Sequence, residues 1–233
     1  MERKFYAIVS AGGTGTRMGA GVPKQFLRIG GKPILRLTIE RIMEAIPEAS
    51  IVTVLPAEHM DYWRSCCQAE GFNCPQRLVE GGFTRFHSVK NAMAVIPDGA
   101  IVAVHDGVRP LASVQLWKRM LSEMDSARAL IPVMPSTDTL KVLSRGADGV
   151  LRSSGQALDR TLVYGAQTPQ MFRSEDLRAA YSEVYDTAFT DDASVAERHG
   201  IALSYTMGER TNIKITTPED LALAEAILQI CGR

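Results

Sequence analysis

Short apolar runs alternate along the chain with segments of helical period. The runs lie at Ala7–Val9, Ile51–Leu55, Ile101–Val104 and Leu130–Val133. Brief, β-branched runs of this kind are typical of parallel strands that are buried on both faces. Two of the intervening segments place apolar residues on one helical face. These residues are Ile39, Ile42, Met43 and Ile46 in the first segment, and Phe86, Val89, Met93 and Ile96 in the second. The alternation predicts an α/β fold, a Rossmann-like open and mostly parallel sheet with helices on both faces.

The chain departs from this alternation after the fourth run. Thr139–Leu143, the turn SRGADG and Val150–Arg152 follow one another with no helix between them. A polar, glycine-containing turn between two extended segments predicts a β-hairpin. Because it lies outside the α/β sheet, we expect this hairpin to project as an arm, at about residues 136–160. Arms of this kind commonly pack on a second subunit, so we expect a homodimer.

A helix is well marked near the C-terminal end of the sequence. Thr217 is suited to cap it, Pro218 to occupy its first position, and Asp220 to complete a capping box. An apolar stripe follows, formed by Leu221, Leu223, Ala224, Ile227 and Leu228. The preceding segment, Asn212 to Thr216, predicts a short strand.

Composition limits the partners and the location of the protein. The 233 residues suffice for one large domain, so we expect residues 1–233 to form a single unit. The formal net charge is +0, so no global field favours nucleic acid or an anionic membrane. No apolar run approaches the roughly 18 residues of a membrane span, and the four cysteines lack C-x-x-C spacing. We therefore expect a reduced, cytoplasmic protein that binds neither nucleic acid nor membrane.

The first apolar run leads into a glycine-rich stretch, SAGGTGTRMGAGVPKQF. Glycine lets backbone N–H groups approach phosphate oxygens, and Arg17 and Lys24 add positive charge. The stretch is not a Walker A loop, since Gln25 follows Lys24. It is not the dinucleotide fingerprint either, because Met18 stands where a third glycine is needed. By spacing alone it is either a phosphate-binding loop or a mobile turn with two solvated cations.

Further motifs follow along the chain. They are AGGTGTRMG with PKQF, GGFTRFHSV, VHDGVRP, TDTLK, LDRTLVYGAQTPQMF, FTDDASV and NIKITTPEDLALAE. Their order and spacing resemble the nucleotidyltransferases with a dinucleotide-fold core, and within these the 2-C-methyl-D-erythritol 4-phosphate cytidylyltransferase family of the non-mevalonate isoprenoid pathway. The resemblance implies that a phosphate monoester oxygen attacks the α-phosphorus of CTP, with Mg²⁺, and releases pyrophosphate. Such a transfer depends mainly on positioning and charge neutralisation.

The resemblance also implies a nucleotide site. Its catalytic cations are Arg17, Lys24 and Lys214, which would stabilise charge on the phosphates. The CTP-binding residues that it implies are Ala11, Gly12, Gly13, Gly15, Gly81, Gly82, Arg85, Ser88 and Asp106. Asp106 is also the implied metal ligand, since ligands bind at the carboxyl ends of strands in open α/β sheets and Mg²⁺ takes few protein ligands. Ser88 could instead bond its own helix backbone.

The implied acceptor site involves both the sheet and the arm. Its residues are Arg109, Thr139, Arg160, Thr190 and Asp191. Thr139 and Arg160 flank the hairpin, and the resemblance implies that they reach the acceptor's phosphate in the partner's site. Asp191 and Asp192 are interpreted first as a helix N-cap, with Thr190 and Asp191 also shaping the acceptor pocket.

Two other functions stay open on the sequence. Ribitol-5-phosphate cytidylyltransferases share AGGTGTRMG and a less alanine-rich HD..RP segment, here VHDGVRP. A non-catalytic nucleotide-sensing protein on the same fold is the second alternative, although the implied catalytic cations and metal ligand are all present. The chain also departs from the family pattern at Phe83 and Thr211, where relatives often carry acidic residues.

Overall fold

A twisted central sheet organises the chain. The computed structural model describes residues 3–13 and 22–230. Within them the strands are β1 (Phe5–Ser10), β2 (Arg28–Ile29), β3 (Lys32–Pro33), β4 (Ser50–Leu55), β5 (Gln76–Glu80), β6 (Ile101–Asp106), β7 (Ala129–Pro135), β8 (Leu143–Arg145), β9 (Leu151–Ser153), β10 (Tyr164–Ala166), β11 (Gln170–Arg173) and β12 (Ser204–Met207). The helices are α1 (Ile34–Ala45), α2 (Ala57–Ala69), α3 (Arg85–Met93), α4 (Val114–Glu123), α5 (Ser174–Ala180), α6 (Asp192–Arg198) and α7 (Pro218–Ile230). Eight strands form the central sheet, and β2–β3 and β8–β9 form separate hairpins.

The four predicted apolar runs all form strands of the central sheet. β1 lies in the middle, parallel to β4 on one side and to β6 on the other, so that Ala7 faces both Ile51 and Ala103. β5 extends the sheet beyond β4, also in parallel. β7 runs in the same direction as β6, because β11 lies between them and is antiparallel to both. The predicted open, mostly parallel sheet is therefore confirmed.

The region around β7 contains three strands that the apolar pattern did not reveal. β10 and β11 follow one another along one edge of β7, both antiparallel to it. β12 lies parallel along the opposite edge, where Met207 pairs with Val133. The strand predicted at Asn212 to Thr216 is wrong, since that segment lies outside the strands. Ile215 N–H donates to Val108 O at 3.0 Å, but this bond does not extend into a ladder.

Helices cover both faces of the sheet, as predicted. Side chains of β1 alternate between the two layers, with Ala7 and Val9 on one face and Ile8 on the other. Buried residues of α1, α2 and α4 pack on the first face. Those of α3, α5 and α6 pack on the second. Both predicted helical faces are buried, apart from Met43, which is partly exposed.

The C-terminal helix begins where the sequence indicated. Thr217 Oγ1 accepts the Asp220 N–H at 3.3 Å, and Asp220 Oδ2 accepts the Thr217 N–H at 2.9 Å, so the capping box is formed. The predicted apolar stripe is only partly correct. Ala224 and Leu228 are buried, but Leu223 is half exposed because α7 covers the molecule at its periphery. No helix in the described ranges is both long and apolar enough to cross a membrane.

The predicted hairpin is present as β8 and β9. Leu143 pairs with Ser153 and Arg145 with Leu151, in antiparallel register. Its first strand begins at Leu143, later in the chain than the predicted Thr139. All six strand residues are exposed, so these two strands contribute no buried side chain to the core of the described chain.

Candidate active site

A polar cavity opens at the carboxyl edge of the central sheet. It lies between β1 and β6. The next two strands of the central sheet along the chain, β4 and β5, are added on one side of β1, and β6 is added on the other. In open α/β sheets ligands bind at such switch points. The cavity has a volume of about 250 Å³. It is lined by Ser10, Ala11, Gly12, Gly13, Lys24, Gln25, Gly82, Phe83, Thr84, Arg85, Ser88, Asp106, Val108 and Lys214.

The loop after β1 forms one wall of this cavity. Ala11 N–H donates to Val54 O at 2.9 Å, which continues the direction of the strand. The buried Gln25 donates from Nε2 to Ala11 O at 2.9 Å and so ties both ends of the glycine-rich stretch together. Lys24 passes 3.6 Å from the position that a Cβ on Gly13 would occupy. Two predicted site residues, Gly15 and Arg17, lie outside the described residues.

A second wall is formed by the turn between β5 and α3. A Cβ on Gly82 would lie 2.4 Å from the Cβ of His87, so only glycine fits there. Ser88 Oγ accepts the Gly82 N–H at 3.1 Å and donates to Thr84 O at 2.9 Å. The Ser88 hydroxyl therefore bonds its own backbone, the alternative that the sequence left open, while its side chain also lines the cavity. Phe83, at the departure from the family pattern, is fully exposed at the rim.

Asp106 lies at the end of β6 among three cations. Its Oδ2 accepts from Arg109 Nε at 3.0 Å and from Lys214 Nζ at 3.1 Å. Its Oδ1 lies 4.0 Å from Arg85 Nε, beyond hydrogen-bonding distance. Burial alone would favour the neutral acid. The positive charges of Arg85, Lys214 and Arg109 outweigh burial and hold the pKa of this carboxyl well below its usual range. The site therefore presents an ionised carboxylate at neutral pH.

A buried hydrogen-bond chain behind Asp106 escaped the sequence reasoning. His105 Nε2 lies 3.0 Å from Arg109 O, which can only accept, so this nitrogen carries the proton. Its Nδ1 then accepts from the Thr168 hydroxyl at 2.9 Å, and the same hydroxyl accepts the Asp106 N–H at 3.0 Å. Burial lowers the pKa of His105 to about 4, which keeps the ring neutral. The chain fixes the backbone from which both Asp106 and Arg109 project.

A second contact, partly buried and also missed by the sequence reasoning, involves Arg85. Its Nη1 and Nη2 donate to the two carboxylate oxygens of Asp192, at 2.8 and 2.5 Å. The Tyr181 hydroxyl donates to Asp192 Oδ1 at 2.6 Å. The guanidinium predicted to contact CTP is thus bound by this chain's own buried carboxylate.

The predicted acceptor residues are dispersed in the structure. Arg109 lies beside Asp106, and its Nη1 donates to Asn212 O at 2.7 Å. Asp191 caps α6 through its side chain, as interpreted from the sequence, and lines a different cavity of about 660 Å³ together with Tyr164 and Tyr205. Thr190 beside it is exposed. The remaining two, Thr139 and Arg160, are exposed on the arm side and do not line the cavity at Asp106.

The residues present suit a metal ion that is carried by phosphates. No cluster of three or more His, Cys, Asp or Glu side chains that could hold a metal exists within residues 3–13 and 22–230. A lone ionised carboxylate with an oxygen facing the cavity matches Mg²⁺, which is bound by one or two carboxylates plus substrate phosphates. The donor set at Asp106 fits that mode.

Together, the glycine loop at the sheet's switch point and the ionised carboxylate between cations place the chain among the nucleotidyltransferases. The model of the 2-C-methyl-D-erythritol 4-phosphate cytidylyltransferase family matches residues 5–230. The chain belongs to this family, as its motifs predicted, and is a cytidylyltransferase.

Individual relatives are similar to this chain over nearly its whole length. The family's enzyme from Porphyromonas gingivalis is 44% identical over 229 residues, covering 98% of this chain and 99% of the relative. The one from Bacteroides fragilis is 43% identical over 223 residues, covering 95% and 98%. Among solved structures, 4-diphosphocytidyl-2C-methyl-D-erythritol synthase from Anaerococcus prevotii superimposes with a TM-score of 0.79 at 27% identity, covering 97% of this chain and 96% of that one.

Proposed function

We propose that this chain transfers the cytidylyl group of CTP to 2-C-methyl-D-erythritol 4-phosphate and releases pyrophosphate. Curated relatives of that name are more than 40% identical over nearly the full length. The observation that carries the proposal is Asp106, ionised between Arg109 and Lys214 and facing the glycine loop. Such a site offers what a triphosphate requires, namely cations, backbone N–H groups and one carboxylate.

The transfer is a single in-line displacement. A phosphate oxygen of the acceptor forms a bond to the α-phosphorus of CTP as the bond from that phosphorus to the bridging oxygen breaks. The electron pair of the breaking bond leaves with pyrophosphate. Lys24 and Lys214, with Arg17, neutralise the charge that builds on the α-phosphate and the leaving group. Arg109 binds the acceptor's phosphate beside Asp106, where a guanidinium can contact two oxygens.

The proposal includes Mg²⁺ bound with the triphosphate. When bound, it supplies Lewis-acid polarisation of the phosphate oxygens. Asp106 is the residue that would hold it. The neutral His105 and the Thr168 hydroxyl keep the backbone of Asp106 in place for that role.

We also propose one domain over residues 1–233, with the arm used to form a homodimer. Apolar side chains of the arm are exposed, including Leu143, Val150 and Leu151. Burying them against a second copy would remove that apolar surface from water. Thr139 and Arg160 then bind the acceptor's phosphate in the partner's site. A cytoplasmic location likewise stays a prediction from the sequence.

The first experiment is pyrophosphate release from CTP and Mg²⁺ with each of two acceptors. We expect turnover with 2-C-methyl-D-erythritol 4-phosphate, little with ribitol 5-phosphate, and loss of turnover in Lys24→Ala. Turnover with ribitol 5-phosphate alone would support cytidylyl transfer but show that the acceptor is ribitol 5-phosphate. CTP binding without turnover on either acceptor would favour a nucleotide sensor instead.

A further inference from the structure

The Arg85–Asp192 pair lies at the wall of the cavity and has no part in the mechanism above. Arg85 lines the cavity, but both terminal nitrogens of its guanidinium are bound to Asp192. Only Nε faces Asp106, at 4.0 Å from Oδ1. The guanidinium is therefore turned away from the one carboxylate on which the proposed metal site depends.

We propose that Asp192 is a positioning residue that holds Arg85 back from Asp106. The inference rests on the proposed function, in which Asp106 binds the metal carried by CTP. By occupying Nη1 and Nη2, Asp192 prevents a two-point ion pair between Arg85 and Asp106. Such a pair would compete directly with a cation for Oδ1.

The two oxygens of Asp106 show why this restraint matters. Oδ2 already accepts from Arg109 and Lys214. Among residues 3–13 and 22–230, no side chain donates a hydrogen bond to Oδ1, and Arg85 Nε is about 1 Å too far from it to do so. Oδ1 is therefore the oxygen that we assign to the metal. A small rotation of a released guanidinium would close that gap. The two groups attract each other more than they would in water, because Asp106 is buried and the Arg85 side chain is only 29% exposed.

Asp192 is well placed to act as a fixed anchor. It is fully buried and accepts a third hydrogen bond from Tyr181. It is also the first residue of α6, whose start is fixed to β11, because Gln170 donates to Asp191 Oδ2 and accepts the Ala193 N–H, both at 2.8 Å. β11 in turn pairs with β6, the strand that ends at Asp106. The anchor and the carboxylate that it protects are thus held by adjacent strands.

The test measures the affinity for CTP by calorimetry, with and without saturating MgCl₂ and with no acceptor present. In the wild type Mg²⁺ should strengthen CTP binding. Asp192→Asn keeps the shape of the side chain but removes its charge. It should reduce the Mg²⁺-dependent gain in affinity by about tenfold, the scale of outer-shell effects on metal binding. CTP affinity without metal should change little. Tyr181→Phe is the matched control, since it removes a hydrogen bond to Asp192 but leaves both charges, and it should keep the gain.

A merely structural role for Asp192 gives a different result. Loss of folded protein would lower the number of binding sites per chain and the melting temperature, but not the ratio of affinities with and without Mg²⁺. An unchanged ratio in Asp192→Asn would overturn the inference.

The double variant Arg85→Gln/Asp192→Asn provides the second test, which also applies if the single variant does not fold. It leaves no buried charge unpaired. Since no guanidinium can then reach Asp106, the Mg²⁺-dependent gain should be recovered. Persistent loss of the gain in the folded double variant would overturn the inference, because Arg85 would then act on the nucleotide itself. Failure of the wild type to bind CTP would instead contradict the proposed function.

Discussion

The cavity at the sheet edge and the arm are stabilised in opposite ways. In the cavity charged groups pair within the same chain, Asp106 with Arg109 and Lys214, and Arg85 with Asp192. In the arm every residue of β8 and β9 is exposed, and the ion pair between Arg152 and Asp148 lies within the hairpin. The difference indicates which properties a single chain determines. The charges around Asp106 are arranged within one chain, whereas the arm would be covered only in the proposed homodimer.

The largest effect is expected inside the cavity. Lys214→Ala should lower kcat by about 10²–10³-fold, as removal of one charge-stabilising group does elsewhere. The reason is that Lys214 lies 3.1 Å from Asp106 Oδ2, where the phosphates are proposed to bind. Steady-state pyrophosphate release measures it, with Lys118→Ala, an exposed lysine of α4, as the control. A fall of similar size in both variants would contradict a specific role for Lys214.

The next test asks whether the arm and the cavity of different chains form one site. Lys24→Ala and Arg160→Ala homodimers should each be nearly inactive. In a mixed dimer one of the two sites combines an intact Lys24 with an intact Arg160 of the other chain. An equal mixture that exchanges subunits freely should therefore recover about a quarter of wild-type activity. Absence of recovery in verified mixed dimers would place Arg160 outside the partner's site.

The apolar surface of the arm provides a third test. If the proposed homodimer forms through the arm, Leu151→Asp should shift the protein from dimer to monomer in analytical ultracentrifugation. In that dimer the change removes from each side a leucine whose burial is worth about 1.5–3 kcal/mol. Leu223→Asp on α7 is a closely matched control, because both leucines are 52% exposed in the single chain. If both variants dissociate equally, or neither does, the arm is not the dimer contact.

The smallest effect is a pH dependence of the free energy of unfolding. We expect it from a group buried behind the cavity, and the exposed arm has no counterpart to that group. Burial lowers the pKa of His105 from 6.5 to about 4, so the unfolded chain binds the proton more readily. The stability that neutral His105 contributes is complete above pH 6.5 and is lost as the pH falls from there toward 4. In EDTA-containing buffer, urea unfolding should show about 2 kcal/mol less stability at pH 5 than at pH 7. His105→Gln should show a smaller difference, and an equal one would contradict this assignment.

The sequence predicted the centre of the sheet better than its margins. β1, β4, β6 and β7 are buried on both faces, so each leaves a continuous apolar run. The outer strand β5 and the short strands β10 and β12 are largely exposed and leave no such run. The segment Asn212 to Thr216 was misassigned because two isoleucines imitate a strand while packing beside α7.

The candidate site divides in the same way. Short motifs identified Lys24, Asp106 and Lys214, which line one cavity together with Gly12, Gly13 and Gly82. Gly81 does not line it, and Gly15 lies outside the described residues. Contacts across long separations carried no signal in the sequence. Arg85 and Asp192 are 107 positions apart, and an arginine near a turn gives no indication of which carboxylate binds it.

The position of β1 between β4 and β6 has a consequence for how the protein is made. β4 and β5 follow β1 along the chain, so this part of the sheet can pair while synthesis continues. The cavity needs more, because its lining extends from Ser10 to Lys214. A nascent chain therefore has most of its sheet before it has a complete binding site. Since a ligand stabilises only the state that it binds, CTP can favour the finished protein but not the growing one.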